Sequence, residues 1–140
     1  QALTYAHVNP AVLTRLLTAP ADALRRHDAI SIHVGGGVLT PALAEQVRAR
    51  LTNDLVVHVA STEVGTWFIT PIETEEDLRS HCIVPEREVQ VVDRAERPLP
   101  AGQTGQIRIR TIDNVTGYLD DEEASRAAFR DAYASRAREE

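Results

Sequence analysis

The chain has 140 residues, 43% hydrophobic and 26% charged, with a net charge of −6. That is enough chain to bury a core, and an acidic balance without a basic stripe excludes a general nucleic-acid binder, because nothing would neutralise a run of phosphates. No apolar run approaches the roughly 20 residues of a membrane helix, and no basic-then-apolar start reads as a signal peptide.

In chain order, Asn9-Pro10 predicts a helix start, a capping side chain followed by Pro at the first helical position. Val12, Leu13, Leu16 and Leu17 then recur at helical spacing, and Ala19-Pro20 ends the run. A further short helical turn is expected over Leu24 to His27. Ile30, Ile32 and Val34 alternate with Ser31 and His33, which predicts a strand running directly into Gly35, Gly36 and Gly37. Thr40-Pro41 predicts a second helix whose apolar face holds Leu43, Val47 and Leu51. Leu55 to Ala60 is an almost unbroken apolar run, the pattern of a buried parallel strand. Residues 29 to 60 therefore spell strand, helix, strand, the usual right-handed crossover. The loop Ser61-Thr62-Glu63-Val64-Gly65 follows at the carboxyl end of that strand, where open α/β sheets bind ligands.

Beyond about residue 83 the pattern changes. Glu88 to Val92 and Gln106 to Arg110 each alternate, with Val89, Val91, Ile107 and Ile109 on single faces. Arg97 to Gly102 is a turn-rich connector between them, so an antiparallel pair is expected. The acids from Asp120 to Glu123 suit the start of a last helix, with Ala124, Ala127, Ala128 and Phe129 facing inward. The tail from Ala134 to Glu140 has little apolar content and is expected to fray. The fold class is thus mixed α/β: a β-α-β layer with part of a parallel sheet, then a small antiparallel β subdomain and a helix. The division falls into an α/β portion over residues 1–83 and a β-rich portion with the C-terminal helix over 84–140.

Two readings stand for each candidate site. The triple glycine would let backbone N–H groups approach a ligand closely, or simply make a tight turn; Thr40 breaks the dinucleotide fingerprint. Thr62 offers a hydroxyl to a phosphate oxygen and Glu63 a carboxylate to magnesium, or they form a capped, solvated turn. His33 and His58 lie inside strands and read better as packed, hydrogen-bonded residues than as catalysts. His81 and Cys82 are adjacent, which is not a metal-ligand spacing. Glu73, Glu75, Glu76 and Asp77 read as a solvated turn or helix start, and Trp67 and Phe68 as core. The single cysteine cannot make an internal disulfide, which points to a reducing, cytoplasmic compartment.

Three stretches together resemble the adenylate-forming superfamily, which includes acyl-CoA synthetases, luciferases and peptide-synthetase adenylation domains. Gly35-Gly36-Gly37-Val38-Leu39 is similar to its "GGxxL" turn, Ala60-Ser61-Thr62-Glu63-Val64-Gly65 to its "YGSTE" loop. Gly102 to Phe129, with "GQTGQIRIR" and "GYLDDEEASRAAF", is similar to its "GExGEixvrG…GYxxdpeaTaeaF". The resemblance covers residues 5 to 130. It implies a ligase that activates a small carboxylic acid with ATP and magnesium to an acyl-adenylate, then passes it to coenzyme A or a carrier-protein thiol. It further implies that Gly35, Gly36, Gly37, Ala60, Ser61 and Thr62 border the nucleotide, that Thr62 and Glu63 are catalytic with Glu63 on the metal, and that Val64 and Gly65 help set acyl size.

The departures are specific. Val59 and Ala60 stand where the family has an adenine-stacking aromatic and a glycine. Gln103 and Gln106 replace the acids of "GExGE", and the flanks of Asp131 do not match the family's "TGD" motif. There is no Lys, all fifteen basic residues being Arg, so chemistry needing an ε-ammonium group is not completed by these residues. The chain opens on Gln1 and contains no Met. It is therefore expected to be an internal piece, inactive alone and prone to self-association through uncovered apolar faces. The alternative is a degenerate, non-catalytic homologue kept for binding or assembly.

Overall fold

The computed structural model describes residues 3–110 and 115–129, arranged as two compact units, Gln1–Val84 and Pro85–Glu140. The expectations for Asp131 and for the tail from Ala134 to Glu140 lie outside the described residues.

In the first unit, β1 (Tyr5–Val8), β2 (Ser31–Val34), β3 (Leu55–Ser61) and β4 (Gly65–Pro71) form one sheet in that order. The pairs β1–β2 and β2–β3 are parallel, and β3–β4 is antiparallel. Helix α1 (Pro10–Leu17) joins β1 to β2 and α2 (Pro41–Arg50) joins β2 to β3. Both helices begin as their Asx/Thr-Pro starts predict: Asn9 Oδ1 accepts from the Val12 N–H at 2.8 Å, and Thr40 Oγ1 from the Leu43 N–H at 3.3 Å. One sheet face carries Ile32, Val34, Leu55 and Val57. These residues form the core with Leu13 and Leu17 of α1, Ala44 and Val47 of α2, and Leu39, Leu51 and Ile72. Such a continuous apolar layer is what a crossover helix on a parallel strand pair buries. Val12 and Leu16, at helical spacing but on the outer flank of α1, are 48% and 40% exposed.

Arginine closes the helix ends. The Arg50 guanidinium donates to the Leu17 and Ala19 carbonyls, and Arg48 to the Ile72 carbonyl. A planar fork reaches two carbonyls at once, which an ammonium group does less well. The helical turn expected over Leu24 to His27 does not form. Its backbone is claimed from elsewhere: the His27 N–H donates to the Leu51 carbonyl at 2.8 Å, while Arg26 grips Asp28 and the Arg48 carbonyl. Two strands escaped the sequence reading. β1 is four residues long and carries no pattern of its own. β4 absorbs Gly65 and the aromatics read as loop and core, so the loop proper shrinks to Thr62, Glu63 and Val64.

In the second unit, β5 (Glu88–Val92) and β6 (Gln106–Arg110) pair antiparallel. Val89 faces Ile109 and Val91 faces Ile107. On the other face Arg110 donates to Glu88 at 2.6 Å and Arg108 to Gln90 at 2.5 Å. The connector is held by Asp93, whose Oδ1 accepts from the Ala95 and Arg97 N–H groups at 2.8 and 3.0 Å. Helix α3 (Glu122–Ala128) is capped by Asp121, whose Oδ1 accepts from the Ala124 N–H at 2.9 Å. Its inner face differs from the expected one: Ala127 and Ala128 are exposed. The phase is set by Ser125, whose Oγ accepts from the Tyr118 N–H at 2.7 Å, and by Phe129, edge-on to Tyr118 at 5.2 Å. Residues four apart share a helix face, so 125 and 129 turn inward and 127 and 128 turn out.

Candidate functional site

The triple glycine leaves β2 and reaches the start of α2. The Gly35 N–H donates to the Val8 carbonyl at 3.0 Å. A Cβ on Gly35 would sit 2.8 Å from His7 Nε2, and one on Gly37 would sit 3.1 Å from Pro10 Cδ. The turn is therefore tucked under β1 and the first residue of α1, a packing reason for two of the glycines. Gly36 adopts φ +71°, a backbone region that residues with a side chain disfavour.

Facing this turn across the end of β3 is a groove of about 490 Å³. Gly36, Gly37, Val38 and Leu39 form one wall, and Val57 to Ala60 form another. Leu78 and His81 complete it. Leu78 is placed by a single 3-10 turn, Glu76–Leu78. Asp77 ties that turn down: its Oδ2 accepts from the Thr74 N–H at 2.7 Å, the Thr74 hydroxyl at 2.9 Å and the Glu73 N–H at 3.0 Å. These donors, the Thr74 N–H first, hold the Asp77 carboxyl below the ordinary carboxylate range. The neighbouring Glu73, Glu75 and Glu76 are exposed.

His81 comes from a segment that lies along β4. The Ile69 N–H donates to the Cys82 carbonyl at 3.1 Å, the Cys82 N–H to Thr70 Oγ1 at 3.0 Å, and the Val84 N–H to the Trp67 carbonyl at 3.1 Å. Trp67 is the extra residue of a bulge, since Val59 pairs with Phe68 but Ala60 with Thr66. Trp67 and Phe68 are half-buried and lie outside the core cluster. Phe68 instead rests against the His81 ring, centroids 5.9 Å apart.

Of the residues singled out in the sequence, Gly36, Gly37 and Ala60 line the groove; Gly35 lies behind the turn. Ser61 and Gly65 are paired at the mouth of the β3–β4 hairpin, and Thr62, Glu63 and Val64 form its three-residue tip. Thr62 is exposed, Glu63 and Val64 half-buried, and none of Ser61 to Gly65 belongs to the groove lining. Val59, placed by the resemblance at the adenine position, does line the groove; sequence reading did not find His58, Leu78 or His81 as groove residues. The apolar run of β3 placed His58 in a strand, but nothing local announces that residue 81 returns to it.

The sheet face opposite the core carries His7, His33 and His58 on three adjacent strands, His58 also lining the groove. His33 Nδ1 and His58 Nε2 share a hydrogen bond of 2.6 Å, and His33 Nε2 meets Ser31 Oγ at 3.0 Å. Tyr5 tilts over His33 at 4.5 Å between centroids, and His7 lies 5.4 Å from His58. This is the packed, hydrogen-bonded role that His33 and His58 were expected to have. Desolvation comes first in lowering both imidazoles below their ordinary pKa; neighbouring histidines add to it at both, and Asp54 partly opposes it at His33. The unfolded chain, titrating near pH 6.5, thus takes up protons before the folded one. Stability should fall as the pH drops through and below about 6.5. Urea midpoints at pH 7.5 and 5.5 should show that slope, flattened in a double His33→Gln, His58→Gln variant; an equal slope in the variant would contradict this origin.

Among the described residues no group of three or more His, Cys, Asp or Glu side chains could hold a metal ion. A single carboxylate, such as that of Glu63, suffices for magnesium brought in on a nucleotide, because that ion takes one or two protein carboxylates and draws its other ligands from phosphates and water.

Residues 1–119 match the AMP-binding enzyme family. Among solved structures the chain is similar to the benzoate CoA ligase from Burkholderia xenovorans LB400, with 24% identity and a TM-score of 0.75 over 89% of this chain and 26% of that one. It is similar to ATP-bound MatB from Rhodopseudomonas palustris, with 21% identity and a TM-score of 0.73 over 91% and 26%. A third is the amide bond synthetase McbA from Marinactinospora thermotolerans, with 22% identity and a TM-score of 0.70 over 91% and 27%. At these identities the likeness is one of fold, and the chain spans about a quarter of each structure. A comparison with curated proteins returns no match.

Proposed function

Since the chain belongs to the AMP-binding enzyme family, we propose that it is the part of an adenylate-forming ligase that borders the nucleotide and the acid substrate. The observation that carries this reading is the meeting of the glycine turn with the end of β3 around one groove, with the Thr62-Glu63 tip at the end of the same strand. In the reaction a carboxylate oxygen attacks the α-phosphorus of ATP, and the bond to the bridging oxygen of pyrophosphate breaks. The products are an acyl-adenylate and pyrophosphate. A thiolate, of coenzyme A or a carrier protein, then attacks the acyl carbon and AMP leaves. The printed name of one structural neighbour, an amide bond synthetase, makes an amine the alternative acceptor.

The residues take distinct parts. The Thr62 hydroxyl donates to a phosphate oxygen. Glu63 would hold magnesium, which when bound offsets charge gathering on the phosphates. Gly36 and Gly37, lacking side chains, let the nucleotide approach the backbone. Val64, next to Glu63 at the hairpin tip, limits the acyl group together with Gly65. Val59 and Ala60 offer no aromatic face to adenine, so nucleotide affinity rests on the phosphate end. That same pair favours the second reading, a non-catalytic homologue that binds or assembles.

The full-length protein, given ATP, magnesium and a panel of carboxylic acids, should release pyrophosphate only when an acid is present. Turnover of no acid in a broad panel would leave the binding reading standing and remove the ligase one.

A further inference from the structure

We propose that His7, His33 and His58 are positioning residues for the glycine turn, and that proton uptake by this cluster displaces the turn and weakens nucleotide binding in the groove. This rests on the reading above that the groove borders a nucleotide.

The mechanical link runs through Gly35. A Cβ on Gly35 would sit 2.8 Å from His7 Nε2 and 3.5 Å from the His58 carbonyl oxygen. The turn is therefore seated on one imidazole and on the strand that carries another. Gly36 and Gly37, the next two residues, form one wall of the groove, and His58 lies in the other. Close contacts of this kind transmit a displacement rather than absorb it. A shift of His7 or of β3 at His58 thus reaches both walls.

The cluster accommodates few protons. His33 uses both ring nitrogens, Nε2 on Ser31 Oγ at 3.0 Å and Nδ1 on His58 Nε2 at 2.6 Å. The bond between the imidazoles holds one proton, donated by one ring and accepted by the other. One charged ring is compatible with that bond. Two charged rings turn N–H against N–H, and the bond is lost. His7 places a third imidazole 5.4 Å from His58 between centroids, so a charge there opposes charge on the pair. Imidazoles make this change between pH 5 and 8. The surroundings give limited relief. Tyr5 tilts over His33, and β4 pairs the apolar Ile69 with His58. Asp54 favours a charge on His33, while desolvation disfavours it on His33 and His58 alike. The turn is therefore held best when the cluster is neutral, and the hold weakens as the pH falls.

The test is equilibrium binding of ATP with magnesium to the full-length protein at pH 7.5 and 5.5, with far-UV circular dichroism checking the fold at each. Because ATP itself titrates in this range, the readout is the ratio of the two Kd values in the wild type compared with the same ratio in variants. The wild-type ratio should exceed that of a double His33→Gln, His58→Gln variant by about fivefold or more, the lower end of ordinary coupling between sites. His7→Gln, at an exposed position of β1, should remove part of the excess, and it carries the test if the double variant does not fold. A merely structural role would weaken binding equally at both pH values and leave the ratio unchanged. Equal ratios in the wild type and in whichever variants fold therefore overturn the role of the histidines and leave the nucleotide reading intact. Absence of ATP binding at either pH overturns both.

Discussion

Glu63→Gln in the full-length enzyme should lower acid-dependent pyrophosphate release by about a hundredfold, the scale on which a single charge-stabilising group acts in a transition state. Gln matches Glu in shape, so the half-buried tip of the β3–β4 hairpin has no steric reason to rearrange. What changes is charge: an amide oxygen is a far poorer partner for a hard divalent cation than a carboxylate. The loss should appear mainly in kcat, with the magnesium requirement shifted to higher concentration, while KM for the acid stays near its original value. Thr62, exposed beside it, should give a smaller effect as Ala, because a phosphate oxygen retains other donors and water. A Glu63→Gln enzyme with near-normal pyrophosphate release would remove Glu63 from its proposed place.

Leu13→Ala should destabilise the protein by about 2–5 kcal/mol, the range for truncating a fully buried leucine. Leu13 has no exposed surface and points from α1 into the cluster shared with β2, β3 and α2. Its removal costs the transfer free energy of the deleted atoms and the dispersion attraction they exerted on their neighbours, which collapse only partly into the void. The consequence reaches the groove. Pro10, the first residue of the same helix, closes against Gly37, so loosening α1 loosens one wall. A urea titration should show the loss in the midpoint with the slope unchanged. A loss of under about 1 kcal/mol would contradict the placement of Leu13 at the centre of the core.

Much of this architecture was legible because local and tertiary preferences agree. In β5 and β6 the alternation of Val and Ile with polar or charged residues set both boundaries and both faces. The Asn9-Pro10 and Thr40-Pro41 pairs announced α1 and α2, since a capping oxygen followed by a preset φ is helix chemistry whatever the surroundings. Where tertiary pairing decides, the sequence was silent. β1 exists through its pairing with β2, and Leu24 to His27 lose their helix to bonds made with the end of α2.

The candidate site shows the same division. Gly36, Gly37 and Ala60 lie in motifs whose spacing can be read directly. His81 reaches the groove only because residues 82 to 84 hydrogen-bond along β4, and no pattern near residue 81 encodes that return. The glycine turn, left open between ligand approach and tight packing, has a packing role at Gly35 and Gly37. At Gly36 the positive φ and the place on the groove wall suit both readings.

The most direct measurement is isotope exchange between pyrophosphate and ATP, run on the full-length protein with an acid but without any thiol or amine. Formation of an acyl-adenylate is reversible, so label should enter ATP only when the acid is present, and Glu63→Gln should suppress it. Acid-dependent formation of ADP and phosphate, with no label entering ATP, would contradict adenylate chemistry at this site.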